Sequence, residues 1–351
     1  MGSILTLPVP ISEDSVSSSR VQSNSIRWAS VRPVRSRAQI FAAVGFLSSS
    51  GGVRIEELAK RLAAQRISDE ENRLHSLGVS NLRLRRAAKG EAYLTYTNQM
   101  VRLLKFAGLV TVRHRLISPT EDCFIIREKM ETDPTKADEM FLQKTVNSRF
   151  KSYWRYLLAL FDLGELRIPR RFSKRDENFS KFVASIGIKL NAVSFYSLRD
   201  FFYDFGLLNY FIDDEEERIV PLYSIANSQN NSYQAFFRSP TGWVSYRRRL
   251  GDHEFRQALA ETYYGLTRGT NRIVELIELR EKVSQRCLIS ERQFNELFSR
   301  AISTPEELSI KPSIGDLTFR SRTGMKTKVL SLPRSPRNYP YTLVRIYGGK
   351  N

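Results

Sequence analysis

The chain has 351 residues, of which 41% are hydrophobic and 26% charged, and 55 Lys and Arg oppose 37 Asp and Glu. That length and composition suit two or three domains with buried cores, and a net charge of +18 favours an anionic partner, nucleic acid before an anionic membrane surface. No apolar run approaches the roughly 18 residues of a membrane helix, and two distant cysteines, Cys123 and Cys287, suggest no disulfide framework and a cytoplasmic setting, nucleoid-associated in a prokaryote.

Residues 1–35 are polar, Ser-rich and interrupted by Pro8, Pro10 and Pro33, which predicts a disordered tail. The opening Met1-Gly2-Ser3-Ile4-Leu5-Thr6 also fits the short, loose N-myristoylation pattern. Residues 36–130 read as a first domain. Its first helix spans about 37–47, Gly51-Gly52 breaks it, and a short strand at 53–55 precedes a second helix at 56–64. An irregular insertion at 66–92 carries Arg83, Arg85, Arg86 and Lys89, candidates for nucleic-acid contact. A third helix follows over 98–107, with Gly108 placed to end it. Strands at 109–115 and 123–127 complete the unit.

Residues 131–226 repeat this order. A long helix at 141–163, a short strand at 166–168, helices at 179–186 and 194–205, and strands at 207–212 and 218–223 follow in turn. Placing Gly108 over Gly206 aligns Met100 with Leu198, Leu104 with Phe202, Ala107 with Phe205 and Leu109 with Leu207, a weak internal repeat. This unit differs in chemistry. Its hairpin carries five consecutive acids, Asp213, Asp214, Glu215, Glu216 and Glu217, which repel phosphate. Its last helix is so aromatic that Tyr196, Phe201 and Tyr203 cannot all point inward, so these residues and the acids are candidates for a protein interface, with crowded internal packing as the alternative.

Residues 227–252 read as a basic and aromatic linker. Tyr246 with Arg247, Arg248 and Arg249 combines a stacking ring with cations, as single-strand binding would use, but a plain basic linker is the favoured reading. Residues 253–351 form the last unit, with helices at 253–266, 274–285 and 290–302 and strands at 317–320, 327–332 and 341–347. Ser290 and Gln293 make a capping box, and Phe294, Leu297, Phe298, Ala301 and Ile302 form one apolar stripe behind it. The opposite face offers Arg292, Gln293, Asn295, Ser299 and Arg300, the donors and short polar groups that base edges in a major groove require. The hairpin beyond carries Arg320, Arg322, Lys326, Lys328, Arg334 and Arg337, spaced for phosphate contact.

This order of elements resembles a winged helix-turn-helix domain, a fold pattern shared by many families. The resemblance implies a mainly α chain with small β-hairpins, α+β in class, as three tandem winged-helix units. It also implies a recognition helix at 290–302 and a wing at 318–337. Enzyme signatures are missing: His75, His114 and His253 lack zinc-ligand spacing, and there is no phosphate loop and no nucleophile elbow. The expectation is a non-enzymatic protein with no cofactor and no metal that binds duplex DNA, with an irregular nuclease left open. It could be a replication initiator, a regulator or a DNA-sensing subunit of a larger prokaryotic complex, with a protein partner or a second copy. The alternative is a structural subunit whose winged helices bind protein or RNA.

Overall fold

The computed structural model of the chain describes residues 36–75, 91–148, 151–169, 177–187, 192–212, 216–303, 309–313 and 343–347. The expected tail at 1–35 and the cations of 83–89 and 320–337 lie outside the described residues. The chain is mainly helical, with four small antiparallel three-stranded sheets among the described residues. No described helix is long and apolar enough to cross a membrane.

Three times the order helix, strand, helix, helix, strand, strand recurs. The first repeat comprises α1 (Arg37–Ser50), β1 (Val53–Arg54), α2 (Ile55–His75), α3 (Glu91–Phe106), β2 (Val110–Arg113) and β3 (Leu116–Pro119). The second comprises α6 (Lys151–Leu163), β4 (Leu166–Pro169), α7 (Glu177–Ile186), α8 (Ala192–Asp204), β5 (Leu208–Ile212) and β6 (Glu216–Pro221). The third comprises α9 (Asp252–Thr267), β10 (Val274–Glu275), α10 (Leu276–Cys287), α11 (Glu291–Ser303), β11 (Ser309–Ser313) and β12 (Leu343–Tyr347). In each, the last strand lies between the other two: β1-β3-β2, β4-β6-β5 and β10-β12-β11. Between the first two repeats stand α4 (Glu121–Thr132) and α5 (Pro134–Val146), and between the last two a meander of β7 (Tyr223–Ala226), β8 (Tyr233–Ser239) and β9 (Gly242–Arg248).

The Gly108/Gly206 correspondence is geometric. Both glycines are left-handed, at φ 74 and 77. Leu109 N–H donates to the Leu104 carbonyl at 2.9 Å and Leu207 N–H to the Phe202 carbonyl at 2.9 Å, so each closes a third helix with the same Schellman turn. The hairpin returns in the same way, with Thr120 N–H on the Leu109 carbonyl and Leu222 N–H on the Leu207 carbonyl.

Four expectations from the sequence are corrected. Residues 123–127 are helical, within α4: Glu121 and Asp122 complement the dipole of its first turn, and Cys123 and Ile126 are buried one helical turn apart. The single helix expected at 141–163 is two, because Asn147 and Ser148 side chains bond back to the Gln143 and Thr145 carbonyls at the end of α5. Helix α3 starts at Glu91, and α2 runs on to His75. The linker at 227–252 contains two strands of a sheet, whose Ala235, Phe237, Val244 and Tyr246 are buried in the main core.

Two hydrophobic cores result. One runs without interruption from Ile40 to Tyr246 through the first two repeats, α4, α5 and the meander; the other holds the third repeat, from Leu250 to Ile346. Aromatic rings join the parts of the first. Phe141 of α5 stacks on Phe205 at 5.4 Å, and Phe41 of α1 meets both edge-on, at 5.9 and 6.2 Å. Such pairs each contribute about 0.5–1.5 kcal/mol beyond their buried area.

The two matched glycines separate backbone strain from packing. A Cβ at Gly108 would meet nothing within 4 Å, whereas at Gly206 it would press on Ser290 Oγ at 3.1 Å, in the third repeat. Gly108→Ala should therefore cost about 1–2 kcal/mol from left-handed strain alone, and Gly206→Ala clearly more. Urea denaturation of the two variants reads the difference; equal losses would mean that Gly206 has no close neighbour.

Candidate nucleic-acid interface

Each repeat offers its third helix as a candidate contact surface, and the three differ in what covers them. Helix α11 begins as its sequence predicts, with Ser290 Oγ accepting from Gln293 N–H at 3.1 Å and Phe294, Leu297, Phe298 and Ala301 buried behind. The second half of the expected capping box is absent. The Gln293 side chain donates instead to the Arg248 carbonyl of β9, and Gln293 is only 4% exposed.

The N-terminal turn of α11 is docked into the second repeat. Asn209 of β5 donates to the Ile289 carbonyl at 2.9 Å and accepts from Glu291 N–H at 3.3 Å. Glu291 is buried with Arg280 at 3.0 Å, and Tyr203 donates to the same carboxylate oxygen at 2.6 Å. Arg292 pairs with Asp138 of α5 at 3.1 Å and with Glu296 at 3.4 Å. Asp138 also takes Arg37 from α1, and the Arg37 backbone N–H binds Asp204 at the end of α8. Arg247 of β9 closes the network by donating to Thr135 at 3.1 Å and pairing with Glu296. The cavity left in this seam is about 20 Å³, too small for more than a water-sized molecule.

Burial governs the electrostatics here. It raises the Asp138 carboxyl above the usual carboxylate range, against the pull of Arg37 and Arg292. Asp204 is raised for the same reason, despite the Arg37 N–H. A parallel cluster lies in the second repeat, where burial works against the Arg199 charge but Asp200 and Glu217 outweigh it. Its guanidinium also lies over the Tyr196 and Tyr210 rings, at 4.8 and 4.0 Å.

These contacts redistribute the residues singled out by sequence. Of the proposed base readers, Arg292 and Gln293 are held in the seam, Asn295 and Ser299 are half-buried, and Arg300 is exposed but paired with Asp252 at 2.8 Å. Tyr246 belongs to the core, Arg248 donates to the Cys287 carbonyl, and Arg249 alone of that group is exposed. Phe201 is fully buried, so its expected place on an outer interface is corrected. Tyr203 faces Glu291 within the chain, and Tyr196 is half-buried under Arg199. Asp213, Asp214 and Glu215 lie outside the described residues; Glu216 pairs with Arg167, and Glu217 is buried against Arg199.

The first repeat is the open one. Along α3, Thr95, Asn98, Arg102 and Lys105 are exposed and Gln99 half-exposed, at offsets 0, 3, 7, 10 and 4, opposite buried Tyr96, Met100, Leu103 and Leu104. The β2–β3 hairpin turns at His114 and Arg115, both left-handed and exposed. Arg54, Leu116 and Arg113 form one exposed cross-strand row, opposite the inner row of Val53, Ile117 and Val112. Arg54, Arg102, Lys105, Arg113 and Arg115 make no ion pair among the described residues. Sequence reading missed this surface; its signal was the run of polar residues one helical turn apart from Thr95 to Lys105, beside Arg113-His114-Arg115.

Asp138 offers a test of the seam. With its folded pKa raised, the folded state holds a proton that the unfolded chain has already lost, so the stability this group contributes is full below the ordinary carboxylate pKa and declines as pH rises through the raised value. Asp138→Asn should remove that decline and cost at most about 1 kcal/mol at neutral pH, whereas Asp138→Lys, a third cation beside Arg37 and Arg292, should cost about 3–5 kcal/mol. Urea midpoints measured across mildly acidic pH decide it, and a harmless Asp138→Lys would refute the seam. No protein-family model matches the chain, and neither a curated protein nor a solved structure is significantly similar to it.

Proposed function

We propose that the chain is a non-enzymatic DNA-binding protein of three tandem winged-helix units, and that the first unit makes the principal duplex contact. The observation that carries this reading is the contrast among the third helices. Helix α3 presents polar and cationic side chains to solvent, with five cations of its unit unpaired among the described residues. Every described side chain from Ser194 to Asp204 in α8 is buried or half-buried, and the leading turn of α11 is docked.

Cations on a helix face and hairpin suit a phosphate backbone, while Asn98, Gln99 and Thr95 provide the short donors and acceptors that base edges need. The middle unit holds the array together. The six cations of 318–337 remain in the reading as a second, sequence-independent grip. A second reading, a structural subunit whose winged helices bind protein or RNA, gains support from the docking of α11 on the second repeat, where a third helix already meets protein.

Duplex affinity measured over a salt series separates the two. Arg102→Ala, Arg113→Ala and Arg115→Ala should each weaken all sequences alike and flatten the log–log salt slope by about one unit. Asn98→Ala should cost about 1–3 kcal/mol on a preferred site and much less on random duplex. Unchanged slopes in all three arginine variants, or a wild-type chain with a shallow slope, would contradict the duplex reading and favour the second.

A further inference from the structure

The β7–β9 meander has two unlike faces. Register puts Tyr223, Ala235 and Tyr246 in one cross-strand row and Ile225, Phe237 and Val244 in the next, and these rows pack into the first core. The alternate rows therefore lie on the other side of the sheet: Ser224, Ser245 and Phe236, of which Ser245 is fully buried, then Ala226, Trp243 and Arg238. Trp243 and Phe236 are half-buried, and Arg238 is exposed with its guanidinium over the Trp243 ring at 5.6 Å. In the loop between β7 and β8, Asn227, Gln229, Asn230 and Asn231 are exposed, and Asn230 N–H donates to Ser245 Oγ of this side at 3.0 Å. Between Glu217 and Asp252 the chain carries five arginines and no carboxylate; Arg218 and Arg247 pair with Glu165 and Glu296, the buried Glu139 of α5 accepts from the Phe236 N–H at 2.9 Å, and Arg238 makes no ion pair among the described residues.

We infer that this outer face binds single-stranded DNA, with bases stacked on Trp243 and Phe236, phosphates held by Arg238, and base edges met by the amides of the loop. An aromatic surface alone would suit many partners. An exposed arginine that makes no ion pair among the described residues and already lies over the tryptophan selects a polyanion with flat apolar faces. A duplex buries its base faces, so the strand must be unpaired. The choice of DNA over RNA rests on the duplex reading above; the stacking site itself does not. This site replaces the one that sequence placed on Tyr246, which points to the opposite side of the same sheet.

The test uses the full chain and a labelled oligothymidylate of about 20 nucleotides, a duplex of similar length and an oligouridylate competitor. Trp243→Ala should weaken oligothymidylate binding about tenfold, Trp243→Phe should hold it within about twofold, and Arg238→Ala should flatten its salt slope by about 0.7 units. None of the three should change duplex affinity, whereas Arg102→Ala should weaken the duplex and spare the single strand. Should Trp243→Ala lower the melting temperature, Trp243→Phe and Arg238→Ala still decide the matter. Wild-type chain that ignores oligothymidylate, Trp243→Ala that binds it normally, or oligouridylate that displaces it at lower concentration would each overturn the proposal. Loss of the single strand in Trp243→Ala beside unaltered duplex binding in Arg102→Ala, Arg113→Ala and Arg115→Ala would uphold this site and overturn the duplex reading alone.

Discussion

Parts of all three repeats converge on one buried carboxylate. Asp138 sits on α5, outside all three repeats, and takes Arg37 from the first helix and Arg292 from α11 of the third repeat. Asp204, at the end of α8, holds the Arg37 backbone from the second. Side chains 101 and 154 residues from Asp138 thus meet at one point. A buried ion pair is weak evidence for stability, since burial opposes the charge that the arginines favour. Its clearer consequence is geometric, because it ties α5 to side chains from the first and third repeats at one point. The apolar contribution comes from the surrounding rings: Phe41, Phe141 and Phe205 belong to α1, α5 and the turn after α8, and they pack beside the same seam.

That seam leaves three similar folding units with different exposed surfaces. A third helix needs one apolar face to pack on its own repeat, and its other face is then free for a second partner. In α8 both faces are used internally; in α11 the first turn is used and the last is open; in α3 the second face meets solvent. The chemistry of the faces agrees with this. The sealed helix is aromatic, the half-docked one is laced with ion pairs, and the open one carries cations without acidic partners among the described residues. The meander adds a surface of another type, a strand face with rings and an arginine in place of a helix face.

Much of the fold was legible because short-range rules wrote it. Ser290 caps α11 and its apolar stripe is buried as the spacing requires, and Gly108 and Gly206 end matching helices because both turns require a left-handed residue. The failures have physical causes. Periodicity identifies the face that a helix buries in its own unit, but says nothing of a second unit that covers the other face, and Asp138 is 154 residues from Arg292. Tyr233 to Arg238 carries apolar residues on both sides of the strand, so no alternation of period two stood out, and the segment passed for a linker. The start of α3 was hidden by Thr95, Tyr96 and Thr97, poor helix formers that tertiary packing overrides, and with it Thr95 and the rest of the exposed face were overlooked.

Amide hydrogen exchange of the full chain with and without duplex DNA tests the central claim most directly, since it reports every repeat in one measurement. The account predicts added protection in Glu91–Phe106 and across Val110–Arg113 and Leu116–Pro119, and little change in Ala192–Asp204 or in the leading turn of Glu291–Ser303. Protection appearing at that leading turn while Glu91–Phe106 exchanges as before would mean that the seam opens to bind DNA, and that the surface identified on the first repeat is not the contact.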